Sequence, residues 1–140
     1  MQYRILHVED STDDVMLTEL AFRKAGVEAK LQVAADGEEA IAALQRLGTG
    51  ATPDCVLLDI KLTGVSGLEV LKWIRSNPVL KCVPVVVLTS SLLPRDIHEA
   101  YSLGANSYVS KPADLQSLIN LAKTIDLYWL RTNIPPPATM

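Results

Sequence analysis

Residues that could bind a metal ion or a phosphoryl group stand at the ends of four strand-like runs. They are Glu9 and Asp10 after the first run, Asp59 closing CVLLD, Thr89 closing VVVLT, and Lys111 after SYVS. Carboxylates held close together repel and raise one another's pKa, so three of them in one place require a cation. Because the ligands would all be oxygen atoms, the set favours a hard ion such as Mg²⁺.

A cation, an ammonium and a hydroxyl around one carboxylate form a site suited to a phosphoryl group. Phosphoryl transfer depends mainly on positioning and on neutralising charge on the equatorial oxygens. Asp59 stands alone at the end of the most apolar run, so it is the candidate nucleophile, forming an acyl phosphate. Glu9 and Asp10 are the candidate metal ligands, with Lys111 as a fixed positive charge and Thr89 as a hydroxyl donor.

The elements that must bring these residues together alternate along the chain. The five strand-like runs cover residues 3–9, 29–35, 54–59, 83–90 and 107–110. The amphipathic, helix-like stretches cover residues 12–26, 36–48, 67–77, 94–104 and 113–131. This alternation predicts an α/β fold, a parallel sheet with helices on both faces. In such sheets ligands bind beyond the carboxyl ends of the strands, where the candidate residues fall.

The composition of the chain excludes several classes of protein. The chain has 140 residues, 49% of them hydrophobic and 21% charged, with a net charge of -3. This predicts one globular domain and argues against a nucleic-acid surface. The first residues do not resemble a signal peptide, and no apolar run is long enough to cross a membrane, so we expect a cytoplasmic protein. Cys55 and Cys82 lie in apolar runs and are predicted to be reduced core residues.

The order and spacing of Glu9, Asp10, Asp59, Thr89 and the Lys111–Pro112 pair resemble the receiver domain of two-component response regulators. The resemblance covers residues 3 to about 128. It implies a flavodoxin-like, doubly wound sheet of five parallel strands in the order 2-1-3-4-5 with five helices. We therefore expect a receiver domain over residues 1–131 and a Pro-rich tail over residues 132–140.

The resemblance also implies a role for each site residue. Asp59 would accept a phosphoryl group from a phosphohistidine of a sensor histidine kinase. Asp10, Asp59 and the backbone carbonyl of Lys61 would ligate Mg²⁺, with Glu9 assisting. Such a protein is a phosphoacceptor that assists its own phosphorylation and dephosphorylation, rather than an enzyme acting on other substrates.

The remaining implied roles concern switching. Lys111 would pair with carboxylate or phosphoryl oxygens, and a cis Lys111–Pro112 peptide would aim it into the site. Thr89 would move toward the phosphoryl group, and the ring of Tyr108 would rotate inward as Thr89 moves. The Lys61 side chain is expected at the mouth of the site, where it would affect the lifetime of the phosphoaspartate.

The end of the chain suggests what kind of output the protein has. Only nine residues follow the last predicted helix, so the resemblance implies a single-domain regulator whose output is a protein contact or onward phosphoryl transfer. The segment Tyr128-Trp129-Leu130 and the prolines after Ile134 resemble the small regulators that partner bacterial phytochromes. That group implies a homodimer formed through the fourth helix, the fifth strand and the fifth helix.

Three other functions fit parts of the pattern. Phosphatases of the haloacid dehalogenase type share the Asp nucleophile, but Lys61 occupies the position of their general acid/base carboxylate, and their metal-binding acids come last in the chain. In a flavodoxin the EDSTDD loop would repel the cofactor phosphate. The third is a pseudo-receiver that signals without phosphorylation. The complete set of acids, Thr89 and Lys111 argues against it.

Overall fold

The computed structural model describes residues 2–47 and 51–137. Its strands are β1 Tyr3–Val8, β2 Ala29–Ala34, β3 Cys55–Leu58, β4 Val85–Thr89 and β5 Ser107–Ser110. Its α-helices are α1 Thr12–Lys24, α2 Gly37–Arg46, α3 Gly67–Ser76, α4 Pro94–Ser102 and α5 Leu115–Ile125. One π-helical turn, Asp126–Leu130, continues α5.

The strands form one parallel sheet in the order β2-β1-β3-β4-β5, which confirms the predicted topology. All residues of β3 and β4 are buried, as expected for strands covered on both faces. The edge strand β2 alternates between exposed and half-buried residues over most of its length. Residues from α2, α3 and α4 pack on one face, and residues from α1 and α5 pack on the other.

Four helices begin with a side-chain cap, and α4 does not. Ser11, Asp36, Ser66 and Asp114 each accept a hydrogen bond from the backbone N–H three residues on. Such a cap stabilises a helix by about 1 kcal/mol. The N-cap of α4 is Leu93, whose side chain cannot accept a hydrogen bond, and Pro94 follows it. The start of α4 therefore depends on contacts made by other side chains.

The opposite end of α4 is held by Arg75, at the end of α3. Its guanidinium donates to the backbone carbonyls of Gly104 at 2.9 Å, Val83 at 2.7 Å and Lys81 at 3.1 Å, and to Asn106 Oδ1 at 2.8 Å. These bonds satisfy carbonyls that are not part of the sheet or of a helix. Arg75 thus links α3, the approach to β4 and the turn between α4 and β5.

Two sequence-based predictions are wrong. The Lys111–Pro112 bond is trans, since the described residues contain no cis peptide bond. The trans form is the more stable isomer of an X–Pro bond by about 0.5–1 kcal/mol, and Lys111 reaches the site from it. Cys55 is buried as expected, but Cys82 is exposed, because it lies in the turn before β4.

Two further features concern the ends of the fold. Residues 134–137 of the predicted tail are exposed, and residues 138–140 lie outside the described residues. Within the part of the chain that the structure describes, no helix is long and apolar enough to cross a membrane.

Candidate functional site

Asp59 lies just beyond β3 at the carboxyl end of the sheet, with 5% of its surface exposed. Its backbone N–H donates to the carbonyl of Val8 at 3.0 Å, which holds it beside the end of β1. Oδ1 accepts a hydrogen bond from the N–H of Lys61 at 2.9 Å, and Oδ2 accepts one from Lys111 Nζ at 2.9 Å. The carboxylate is therefore held at a defined position by donors to both oxygens.

The loop after Asp59 passes directly against the start of α3. A Cβ atom on Gly67 would lie 2.1 Å from the carbonyl oxygen of Asp59 and 2.5 Å from the Cα of Ile60. No side chain fits there, so only glycine allows the helix this close. Gly64 has a φ of 76°, a conformation that glycine adopts at little cost. The loop can thus turn sharply after Asp59.

Lys111 joins three carboxylates from different elements. Its Nζ lies 2.6 Å from Glu9 Oε1, 2.8 Å from Asp14 Oδ2 and 2.9 Å from Asp59 Oδ2. The side chain is 17% exposed. Its backbone N–H donates to the carbonyl of Thr89 at 2.9 Å, which extends the pairing of β4 and β5. One ammonium therefore connects the ends of β1 and β3 with α1.

The pKa values of this group reflect burial and charge together. Burial by itself lowers the pKa of Lys111, but the close contacts with the carboxylates of Asp14, Glu9 and Asp59 outweigh it and raise the pKa above its usual value. Lys111 is therefore a permanent cation. Burial raises the pKa of Glu9, and the contacts with Lys111 and with the N–H of Ser11 offset this only in part.

Three carboxylates form a cluster that fits a divalent cation. Glu9, Asp10 and Asp59 each place one oxygen within 4.8 Å of the others. Glu9 Oε1 is buried close to Lys111 Nζ, but among the described residues no donor is aligned with it as a hydrogen bond. Asp10 is exposed and is oriented by Thr63, whose N–H and hydroxyl donate to Oδ2 at 3.1 and 3.0 Å. This oxygen-only donor set has the chemistry that hard divalent ions require.

His7 lies within β1 and is almost fully buried. Burial, followed by the charge of Lys111, lowers the pKa of His7 to about 4, so the imidazole is neutral at pH 7. His7 is not among the residues that cluster as metal ligands in the described chain. His7 is therefore a residue of the core, as its place inside an apolar strand suggests.

Thr89 and Tyr108 are connected through the residue Ser91. Thr89 is fully buried at the end of β4, and its Oγ1 accepts a long hydrogen bond, 3.4 Å, from the N–H of Ser91. The hydroxyl of Tyr108 donates to the carbonyl of Ser91 at 2.8 Å. The two predicted switch residues thus contact the same segment after β4.

Lys61 follows Asp59 by two residues, and its side chain is paired with Asp96. Lys61 Nζ lies 3.0 Å from Asp96 Oδ2. Asp96 also accepts a hydrogen bond of 2.5 Å from the hydroxyl of Ser91. These two contacts, that of Ser91 first, hold the pKa of Asp96 below its usual value.

Three residues of the site were missed in the sequence. Asp14 stands in the first turn of α1, where an acid is expected beside the helix N-terminus, so its type and position gave no separate signal. Thr63 gave no signal beyond its place in the loop. Asp96 had the pattern of an acid in the first turn of a helix. The predicted residues Glu9, Asp10, Asp59 and Lys111 are brought together as expected.

The comparison with known families agrees with this geometry. The model of the response regulator receiver domain matches residues 5–123. The chain belongs to the response regulator receiver domain family, whose members take part in two-component signalling.

Within that family the chain is similar to regulators linked to phytochromes. It is 37% identical to the response regulator Rcp1 of Synechocystis sp. over 137 residues, which cover 96% of this chain and 93% of Rcp1. The phosphorylated cyanobacterial phytochrome response regulator RcpA is 38% identical with a TM-score of 0.88, covering 98% and 100% of the two chains. The Mn²⁺-bound form of Rcp1 has a TM-score of 0.83 at 36% identity, with coverage of 96% and 99%.

Proposed function

We propose that Asp59 is the phosphoacceptor of this receiver domain and takes its phosphoryl group from a phosphohistidine of a sensor histidine kinase. The observation that carries the proposal is the position of Asp59, buried at the end of β3 with Lys111 Nζ 2.9 Å from Oδ2. In the transfer, an Asp59 oxygen bonds to phosphorus as the N–P bond to the histidine breaks. No proton has to be removed from the attacking group, since it is already a carboxylate.

The other site residues hold and neutralise the transferred group. Lys111 supplies a permanent positive charge, and the N–H of Lys61 already points at the carboxylate. Glu9, Asp10, Asp59 and the Lys61 carbonyl would hold Mg²⁺, which when bound neutralises charge on phosphoryl oxygens. The hydroxyl of Thr89 would turn to the phosphoryl group, and Tyr108 would follow, because both contact Ser91.

The proposed biological setting follows from the relatives. Similarity to Rcp1 and RcpA supports a kinase of the phytochrome type as the phosphoryl donor. We propose a cytoplasmic single-domain protein, a receiver over residues 1–131 with a tail over 132–140, that acts by protein contacts and does not turn over a substrate of its own. Leu93 and Tyr101 are exposed on and beside α4, which supports a homodimer through α4, β5 and α5.

Phosphorylation with a labelled small donor tests the acceptor. With Mg²⁺ and labelled acetyl phosphate, the protein should gain one phosphoryl group that is stable in acid and labile in base. Asp59→Asn should remain unlabelled, whereas the matched variant Asp13→Asn, which alters an exposed acid of α1, should label like the wild type. Labelling of the Asp59→Asn variant at the wild-type level would contradict the assignment, as would sustained hydrolysis of a phosphomonoester.

A kinase panel tests the partner. Phosphorylated phytochrome kinases and kinases of other classes would be mixed with the protein, and initial transfer rates compared. We expect faster transfer from the phytochrome kinases. Equal rates across the panel would remove the support for that partner and leave the acceptor assignment intact.

A further inference from the structure

A network of side chains connects the loop after Asp59 to the first turn of α4. Lys61 Nζ lies 3.0 Å from Asp96 Oδ2, and the same oxygen accepts a hydrogen bond of 2.5 Å from the Ser91 hydroxyl. Asp96 is buried, whereas the side chain of Lys61 is 55% exposed. The loop that follows Asp59 is therefore linked by an ion pair to α4, the helix that follows β4.

These contacts substitute for the cap that α4 lacks. Leu93, at the N-cap, offers no side-chain acceptor, and Asp96 is the third helical residue after it. Asp96 binds the Ser91 hydroxyl, and that hydroxyl oxygen accepts a long hydrogen bond, 3.4 Å, from the N–H of Leu93. The position of the first turn of α4 thus depends on the carboxylate of Asp96 and on the two groups that bind it.

The network also reaches the two switch residues. The N–H of Ser91 donates to Thr89 Oγ1, and its carbonyl accepts from the hydroxyl of Tyr108. A change at Asp96 would therefore be transmitted to the same segment that Thr89 and Tyr108 contact.

Phosphorylation would change the partners available to Lys61. Its backbone N–H already donates to Asp59 Oδ1 at 2.9 Å, so its side chain starts beside the acceptor. Phosphorylation turns a carboxylate of charge -1 into an acyl phosphate that carries up to about two negative charges, so it adds up to about one negative charge and moves the charge onto the phosphoryl oxygens. A lysine side chain is long and flexible, and an ion pair whose lysine is largely exposed contributes little free energy, so its partner can be exchanged.

We propose that Asp96 holds Lys61 away from the acceptor until Asp59 is phosphorylated, and that the phosphoryl group then competes with Asp96 for the Lys61 ammonium and releases the first turn of α4. Asp96 is thus a positioning residue that acts through Lys61. The inference rests on the proposed phosphorylation of Asp59.

Binding of a phosphoryl mimic tests the competition. The full chain in Mg²⁺ is titrated with beryllium fluoride, and the apparent affinity is followed by amide NMR. Asp96→Asn removes the competing carboxylate and should tighten binding about two- to fivefold, the size expected for an exposed ion pair. In the Lys61→Met background the same substitution should have no effect beyond that of the control. The control is Glu99→Gln, which removes an exposed acid of α4 that makes no ion pair among the described residues.

The outcomes separate the two proposals. If Asp96→Asn tightens binding equally with and without Lys61, the effect is general electrostatics and the competition is refuted. If Asp96→Asn binds beryllium fluoride with the affinity of the wild type, the competition is refuted as well. Loss of α4 structure in a variant would appear as a collapse of the amide chemical-shift dispersion. Ser91→Ala then serves as the second variant, because it removes the hydroxyl that donates to Asp96 Oδ2 and accepts from the N–H of Leu93. Asp96 Oδ2 then keeps its contact with Lys61 without that competing donor, so Ser91→Ala should weaken binding of the mimic in a Lys61-dependent way. Binding of the mimic by Asp59→Asn at wild-type affinity would instead overturn the proposed acceptor.

Discussion

Two lysines flank Asp59, and the protein binds them in different ways. Lys111 is 17% exposed and lies within 2.6–2.9 Å of three carboxylates. Lys61 is 55% exposed and lies 3.0 Å from one. Removing one partner of a buried ion pair leaves an uncompensated charge, whereas an exposed pair is solvated with or without its partner. Lys111 therefore belongs to the permanent architecture of the site, and Lys61 is available for exchange between partners.

The largest effect is expected from Lys111→Met. It leaves Glu9, Asp14 and Asp59 without their shared cation, so the free energy of unfolding should fall by about 3 kcal/mol in the absence of divalent metal. Urea titration measures this, and millimolar Mg²⁺ should recover part of the loss because it restores positive charge. A Lys111→Met variant as stable as the wild type would show that the carboxylates do not depend on this lysine.

An intermediate effect is expected from Asp14→Asn, since Asp14 is the most exposed of the three carboxylates around Lys111. Its removal leaves Lys111 freer to turn to a phosphoryl group and should tighten beryllium fluoride binding about three- to tenfold, between the effects of exposed and buried pairs. Asp13→Asn is the matched control, because it removes a charge from the same helical turn without touching Lys111. Equal results for both variants would mean that Asp14 does not restrain the lysine.

The smallest effect is expected from Lys61→Met. Its stability loss in urea, without metal or mimic, should be about a tenth of that of Lys111→Met, because the ammonium of Lys61 is largely solvated and Asp96 keeps the hydrogen bond from Ser91. A loss comparable to that of Lys111→Met would remove the distinction between the two lysines.

The site residues that were predicted from the sequence are positioned by the topology of the sheet alone. Glu9, Asp10, Asp59 and Lys111 follow strands directly, and the carboxyl ends of parallel strands meet at one edge of the sheet. Their convergence therefore follows once the strands and their order are known. The strand order was implied by the resemblance to the receiver family, and the apolar runs of β1, β3 and β4 indicated only that these strands are covered on both faces.

The residues that were missed depend on helix rotation and side-chain reach. Asp14 contacts Lys111 only because α1 turns that face toward the site, and Asp96 contacts Lys61 across two loops. Neither distance follows from spacing along the chain. The trans Lys111–Pro112 bond is a similar case, because an X–Pro peptide can take either isomer locally and the surrounding fold selects one.

Arg75 holds the end of α4 that lies opposite the Lys61–Asp96 contact. Its guanidinium donates to the backbone carbonyl of Gly104, just beyond the end of α4. A helix of nine residues, about 13 Å long, is thus pinned at one end and held by an exchangeable charge at the other. If phosphorylation releases the first turn of α4 as proposed, the helix would pivot about its Gly104 end, and the largest displacement would fall at the exposed Leu92 and Leu93. A small change of charge at the acceptor would then produce a larger displacement of an apolar surface.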